Sequence, residues 1–365
     1  MNKISITAFV MVLYLGSHLT WAQDAETPKV VLITLDGLRW QELFSGADPL
    51  LVTNKEYVHD TTDLKERFWR ENPKDRREAL MPFVWKEVSK MGQIYGNRNL
   101  GSKVDLTNQM WFSYPGYNEI LTGKADDARI DSNDKIPNPN KTILEIANND
   151  ARYKGKIAAF GSWDVFPYIV NEERSGVPVN AGFELATGNS LTEREKFLNE
   201  LQPKVPSPWG TVRLDAFTHH YALEYMKKAH PELVYISYGE TDDFAHDGDY
   251  EAYLKAANNT DALIKQLWDY TQQDTFYKNK TIFIITTDHG RGTEPLKTWT
   301  GHGSDVKNAG QVWLVAFGKD ISPKGEIDIN KQLYSNQIAP TILMTLGLKP
   351  DASKAHGKPL DLISQ

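Results

Sequence analysis

The chain has 365 residues, and its 41 Lys and Arg against 48 Asp and Glu give a formal net charge of −7. That length suits one large α/β domain, or one with a smaller cap, and the acidic balance argues against a broad nucleic-acid or anionic-membrane footprint. The absence of cysteine excludes disulfides, thiolate metal sites and a lipid anchor on a processed N-terminal Cys.

In chain order, residues 1–22 read as a signal peptide: Lys3 leads, an apolar run follows, and Ala22 stands at a cleavage point. The run is too short and interrupted for a membrane anchor, and no later segment suits a span. A mature, exported single domain over 23–365 is the expectation. Residues 29–37, KVVLITLDG, form a buried strand with no polar alternation until its end. Residues 44–78 are charged and irregular, and a helix is predicted over 79–91. In MWFSYPGYNEILTG, residues 110–123, Ser113 precedes a Pro-started helix, where it either caps the helix or acts as a nucleophile.

Further helices are predicted over 141–149, 211–229, 249–273 and 336–346, and further apolar strands over 156–162, 232–240, 281–290 and 311–318. A second excursion, 171–210, is rich in Gly, Pro and Ser, with a short helical piece near 191–201. Long excursions at a sheet edge serve as substrate-facing lids or as solvated surface loops. Continuous apolar strands alternating with helices specify a mainly parallel sheet covered on both faces. Such a sheet binds ligands beyond the carboxyl ends of its strands. Asp36, Asp242 and the pair Asp288 and His289 fall at such ends.

These residues form a constellation. TDDFAH places Asp242 four residues before His246, on one face of a helical turn. TTDHG sets Asp288 beside His289, and GHG puts His302 in a loop. Taken singly, each is an ordinary turn residue or a structural histidine. Together, six Asp and His residues from four segments exceed the needs of one tetrahedral ion. They suit two metals, with Ser113 filling a remaining position. Carboxylate and imidazole are suitable zinc ligands where no thiolate exists.

In TLDGLR, SYPGYNEILTG, TDDFAH, TTDHG and TGHG, in this order, the chain resembles the alkaline phosphatase superfamily, most nearly its nucleotide pyrophosphatase/phosphodiesterase-like enzymes and related bacterial periplasmic phosphatases. The resemblance implies an α/β core with irregular cap excursions and two Zn2+, or other divalent metals. Asp242, His246 and His302 would hold one ion, and Asp36, Asp288 and His289 the other, with Ser113 as the bridging nucleophile. The family's Thr-Phe-Pro-Asn-His stretch becomes Ser-Tyr-Pro-Gly-Tyr here, so Gly116 and Tyr117 make the pocket surroundings non-standard. Asn133 matches a family Asn whose amide holds a phosphoryl oxygen, and reads equally as a turn residue.

The implied activity is an exported two-metal hydrolase of small phosphate esters acting through a phosphoserine. Monoesters are favoured by analogy, with a phosphodiesterase or nucleotide pyrophosphatase as the alternative. GSWDVFPY, after the strand at 156–162, has no cation for a monoester's extra charge. Arg129 and Arg291 either reach the substrate or make exposed ion pairs, and Trp111, Trp163 and Trp299 either wall the leaving group or pack. A sulfatase ranks lower because Tyr117 stands where its signature needs Arg. A cofactor-independent phosphoglycerate mutase ranks low for want of an inserted transferase domain, as does a non-catalytic metal-binding protein.

Overall fold

A computed structural model describes residues 28–349 and 357–362; the predicted signal peptide lies outside the described residues. Two sheets are built from β1 (Lys29–Leu35), β2 (Gly92–Tyr95), β3 (Ser102–Asp105), β4 (Ile157–Gly161), β5 (Val179–Ala181), β6 (Leu233–Tyr238), β7 (Thr281–Thr286), β8 (Gln311–Val312), β9 (Leu314–Gly318), β10 (Gly325–Glu326) and β11 (Lys331–Tyr334). The large sheet runs β10-β2-β9-β7-β1-β6-β4-β5, and the small one β11-β3-β8. β1 lies parallel to β6 and β7, with Ile33 opposite both Ile236 and Ile285. β4 continues the parallel run between β6 and β5.

Every residue of β1 is buried because helices cover both faces. Val31, Ile33 and Leu35 pack with Tyr253, Leu254 and Ile264 of the Tyr250–Gln273 helix. Val30 and Leu32 face the other core, with Ile120 and Leu121 of the Ser113–Thr122 helix and Ile342 of the Ile338–Thr345 helix. Strands apolar on both faces therefore lose little to polar exposure, as a parallel sheet requires. Among the described residues, no helix is long and apolar enough to cross a membrane.

Three expectations change. The run at 311–318 is not one more parallel strand: it divides at Trp313 into β8 and β9, and β9 runs antiparallel to both β7 and β2. The excursion at 44–78 is not irregular. Asp60 accepts from the backbone N–H groups of Thr62 and Asp63 to start a helix at Thr61–Phe68, and Asn72 caps another at Pro73–Leu80. The helix predicted over 79–91 breaks after Leu80. Pro82 has no N–H, and the carboxylate of Asp261 takes the N–H groups of Phe83 and Val84, so a π-helical turn follows at Val84–Val88.

The short helix in the second excursion forms at Glu193–Leu201 through a Thr192/Glu195 capping box. This excursion walls a cavity of about 430 Å³ with Phe160, Tyr221 and Tyr225. None of the six predicted metal ligands lines it.

Candidate active site and metal centre

The sheet gathers the predicted residues at its carboxyl edge. Asp36 follows β1 directly, and its N–H donates to the Tyr238 carbonyl at 2.9 Å. Gly37 takes φ +60, and a Cβ there would meet Asp242 Oδ1 at 2.7 Å. This position therefore needs glycine for both conformation and approach. The Glu240–His246 helix carries Asp242 and His246 one turn apart. Its start is fixed by the buried Asp215 carboxylate, which accepts from the N–H groups of Gly239 at 2.8 Å and Glu240 at 3.2 Å. The His302 loop is tied to the loop entering the Ser113 helix, because the N–H of Gly303 donates to the Trp111 carbonyl at 2.9 Å.

Ser113 is the first residue of its helix, not its cap. Phe112 occupies the cap position, and its side chain has no acceptor to offer. Asn133 supplies the missing acceptor: its Oδ1 takes the N–H of Tyr114 at 2.9 Å. The Asn133 amide NH2 group remains its donor. Ser113 Oγ is thus left for the interior, 3.4 Å from His289 Nε2.

All six predicted ligands come together. His289 Nε2 lies 3.2 Å from Asp36 Oδ1, 3.5 Å from Asp288 Oδ2 and 3.7 Å from Asp242 Oδ1. His302 Nε2 is 3.7 Å from Asp242 Oδ1. His246 Nε2 stands 2.9 Å from His302 Nε2 and 3.2 Å from Asp242 Oδ2. Two overlapping groups result, Asp36–Asp288–His289 and Asp242–His289–His302, with the ligand atoms of each within 4.8 Å of one another. His289 stands where the two implied sites join, and its ring stacks on His302 with centroids 3.9 Å apart. His246 borders the second group through Asp242 and His302.

The electrostatics fit a cation. Asp36 Oδ1 and Asp288 Oδ2 are buried without a hydrogen-bond partner, a state costly to an ionised carboxylate unless positive charge stands beside it; the His289 ring is 3.2 and 3.5 Å away. Burial, then the neighbouring Asp36, pushes the Asp288 carboxyl well above the usual range. Burial opposes protonation of His289, but Asp288 and Asp36 overcome it and raise the imidazole to about 9. Burial and His289 hold His302 well below the ordinary histidine range. Nδ1 of His289 faces the Gly290 carbonyl at 2.9 Å, so with Nδ1 as the N–H donor the neutral ring would turn its Nε2 lone pair to a cation that takes the place of the second proton. Three carboxylates and three imidazoles make an oxygen and nitrogen donor set suited to zinc and its neighbours.

Several readings sharpen. Arg291 is not an exposed ion-pairing residue: it is buried, and its guanidinium donates to Asp242 Oδ1 at 2.8 Å and to the Thr300 carbonyl at 3.3 Å. Burial opposes ionisation of Asp242, yet Arg291 helps hold its carboxyl well below the usual range. Arg129 pairs with Asp126 at the surface. Trp299 is core, ringed by Tyr57, Tyr250 and Tyr253. Tyr117 points inward, not into a substrate pocket, and its hydroxyl donates to Asp36 Oδ2 at 2.7 Å. No local sequence signal marks that contact, which joins residues 81 positions apart.

A family model described as the Metalloenzyme superfamily matches residues 186–350, a span holding Asp242, His246, Asp288, His289 and His302. The 2,3-bisphosphoglycerate-independent phosphoglycerate mutase of Shewanella sp. (strain ANA-3) is 30% identical over 161 residues, covering 44% of this chain and 27% of the relative. That of Onchocerca volvulus is 27% identical over 175 residues, covering 46% and 32%. The matches thus span only about a third or less of the length of these curated relatives. Among solved structures, the wild-type alkaline phosphatase PafA shares the fold at TM-score 0.62 and 11% identity, covering 93% of this chain and 99% of that one. The phosphonate monoester hydrolase from Silicibacter pomeroyi shares it at TM-score 0.54 and 15% identity, covering 91% and 76%. The metalloenzyme match thus covers the segment carrying Asp242, His246, Asp288, His289 and His302, and the chain shares its fold with these solved structures.

Proposed function

We propose that the protein is an exported metal-dependent hydrolase of phosphate monoesters, with Ser113 as its nucleophile. The carrying observation is that Ser113 Oγ, relieved of helix capping by Asn133, faces His289 at 3.4 Å beside unpaired carboxylate oxygens. Asp36, Asp288 and His289 would hold one divalent cation, and Asp242, His246 and His302 a second, with zinc best suited to the donors. Bound cations supply Lewis-acid neutralisation of phosphate charge and favour ionisation of the serine hydroxyl.

The residues of the chain do the rest. The oxygen of Ser113 attacks phosphorus, the P–O bond to the alcohol breaks, and the alcohol leaves with a proton from solvent. The phosphoryl group is then on Ser113 at a helix N-terminus, whose partial positive charge favours the anion. Water attacks the phosphoserine and releases phosphate and free Ser113. The Asn133 amide NH2 would hold a phosphoryl oxygen, a role its Oδ1 leaves open by accepting from Tyr114.

The monoester preference rests on analogy, since Lys135, two residues past Asn133, is exposed and its ammonium is paired with Asp164 Oδ2 at 2.7 Å. Phosphodiester hydrolysis is the alternative reading. The mutase reading is weakened by the alkaline phosphatase comparison, which spans nearly all of both chains.

The test assays purified protein on an aryl phosphate, a diaryl phosphate and an aryl sulfate, with zinc and after chelation, beside Ser113→Ala. The aryl phosphate should be the best substrate, and Ser113→Ala should lose at least about 10³-fold in kcat. Full activity in Ser113→Ala would refute the nucleophile. A clear preference for the sulfate would refute the substrate class.

A further inference from the structure

Asp36 and Asp288 share a pattern: each has one carboxylate oxygen held by a donor and one with no hydrogen-bond partner. For Asp288 the donor is backbone, the N–H of Gly37 to Oδ1 at 3.1 Å, which leaves Oδ2. For Asp36 the donor is a side chain. The Tyr117 hydroxyl takes Oδ2 at 2.7 Å, which leaves Oδ1 facing His289 Nε2 at 3.2 Å.

Tyr117 is itself held in place. It is fully buried, and its ring meets Phe166 edge-on with centroids 4.8 Å apart. Its hydroxyl accepts from Ser237 Oγ at 3.1 Å, and Ser237 Oγ accepts from Thr34 Oγ1 at 2.9 Å. Thr34 and Ser237 are register partners on adjacent β1 and β6. The donors run Thr34 to Ser237 to Tyr117 to Asp36, all in one direction and ending on a carboxylate. Such chains polarise each successive donor. A tyrosine present only to fill space could be phenylalanine; here the hydroxyl joins the sheet to a predicted metal ligand.

We infer that Tyr117 is a positioning residue for metal binding. By occupying Asp36 Oδ2 it makes Asp36 a single-oxygen ligand through Oδ1, and so fixes where a divalent cation at Asp36, Asp288 and His289 stands relative to Ser113. This rests on the metal-dependent reading of the site. It also assigns a use to Tyr117, one of the two residues at which the Ser113 motif departs from the stretch it resembles. Partners of this kind are worth about 10- to 100-fold in metal affinity or activity.

The experiment uses the full chain, stripped of metal and titrated with Zn2+ and Co2+ against a chromophoric chelator. Wild type is compared with Tyr117→Phe, which keeps the ring packing, and Ser237→Ala, which keeps Tyr117 on Asp36 but removes the donor behind it. The expected result is a loss of about 10- to 100-fold in affinity at one of two sites in Tyr117→Phe, the other site being unchanged. The visible spectrum of the cobalt-loaded protein should change with it. Ser237→Ala should lose less, in the same direction. Equal affinities and an identical cobalt spectrum in Tyr117→Phe would overturn the proposal and leave Tyr117 as packing. If Tyr117→Phe does not fold, Ser237→Ala decides, and unchanged affinity there overturns it. If wild type takes up no cation, the metal-dependent reading fails first and the proposal falls with it.

Discussion

Replacing Gly116 by alanine adds one methyl group where the Ser113 helix meets the end of β7. A Cβ at Gly116 would lie 2.2 Å from the Asp288 carbonyl oxygen and 2.9 Å from its carbonyl carbon, whereas real Cβ contacts essentially never fall below 3.0 Å. Something must therefore move by about 0.8 Å, and the obstacle is backbone, not a flexible side chain. Neither side yields easily. Asp288 is held by Gly37, and the next residue of the helix, Tyr117, is bonded to Asp36 and wedged on Phe166.

Two opposing magnitudes decide the sign. Gly→Ala inside a helix gains roughly 0.5–1 kcal/mol from propensity, while overpacking of this kind costs about 1–3 kcal/mol. The net expectation is destabilisation of about 0–2.5 kcal/mol, read as a Tm lower by up to a few degrees. Activity should suffer more. A displacement near 1 Å between Ser113 Oγ and His289, now 3.4 Å apart, costs about 10²-fold in rate. The assay is kcat/KM on the best ester, with melting temperature and bound metal measured on the same preparation. A Gly116→Ala protein that melts higher than wild type and keeps full kcat/KM would show that the helix and β7 are not packed as described.

Chelation should lower the melting temperature, and zinc at about 100 times Kd should restore about 2.7 kcal/mol; a Tm indifferent to both would remove the metal centre. Arg291→Met should destabilise the metal-free protein by about 3–5 kcal/mol, because it strips the buried Asp242 carboxylate of its cation. Zinc should recover part of that loss, and a metal-free variant as stable as wild type would contradict the pairing. His219 provides a pH test away from the site. It is buried between the Tyr238 hydroxyl at 2.9 Å and Gln266 Oε1 at 2.7 Å, and burial lowers its pKa to about 3. The unfolded chain binds the proton near pH 6.5, so this contribution is complete above that pH and is lost as pH falls towards 3, by up to about 1.4 kcal/mol per unit. Urea titrations between pH 7 and 4 should show a shallower decline in His219→Gln; an unchanged slope would refute the assignment.

The parts of this structure legible in the sequence are those set by short-range rules. β1, β6 and β7 show as uninterrupted apolar runs because both their faces are buried. The residue just beyond such a run must lie at the carboxyl edge, which is why Asp36, Asp288 and His289 stand out in the sequence. Asp242 and His246 needed only the helical spacing. The helices at Thr61–Phe68 and Pro73–Leu80 also carried their signals, the caps Asp60 and Asn72, but the charged composition between them reads as loop.

What the sequence did not show are the groups acting across long separations. Ser113 and a proline read as a cap and its helix, yet the cap comes from Asn133, nineteen residues later as counted by their bond to Tyr114. Arg291 follows the DHG motif and reads as a substrate contact or an exposed ion-pairing residue, because only the fold brings it back under Asp242. Gly116 and Tyr117 read as changes to a substrate pocket. Their surroundings give them a different sense: glycine lets the helix reach the Asp288 backbone, and the tyrosine beside it then reaches beneath Asp36. The two departures from the family motif are thus parts of one arrangement. Close approach of the helix is the condition for the Tyr117 hydroxyl to meet Asp36, so disturbing the glycine should also loosen the carboxylate that the tyrosine holds.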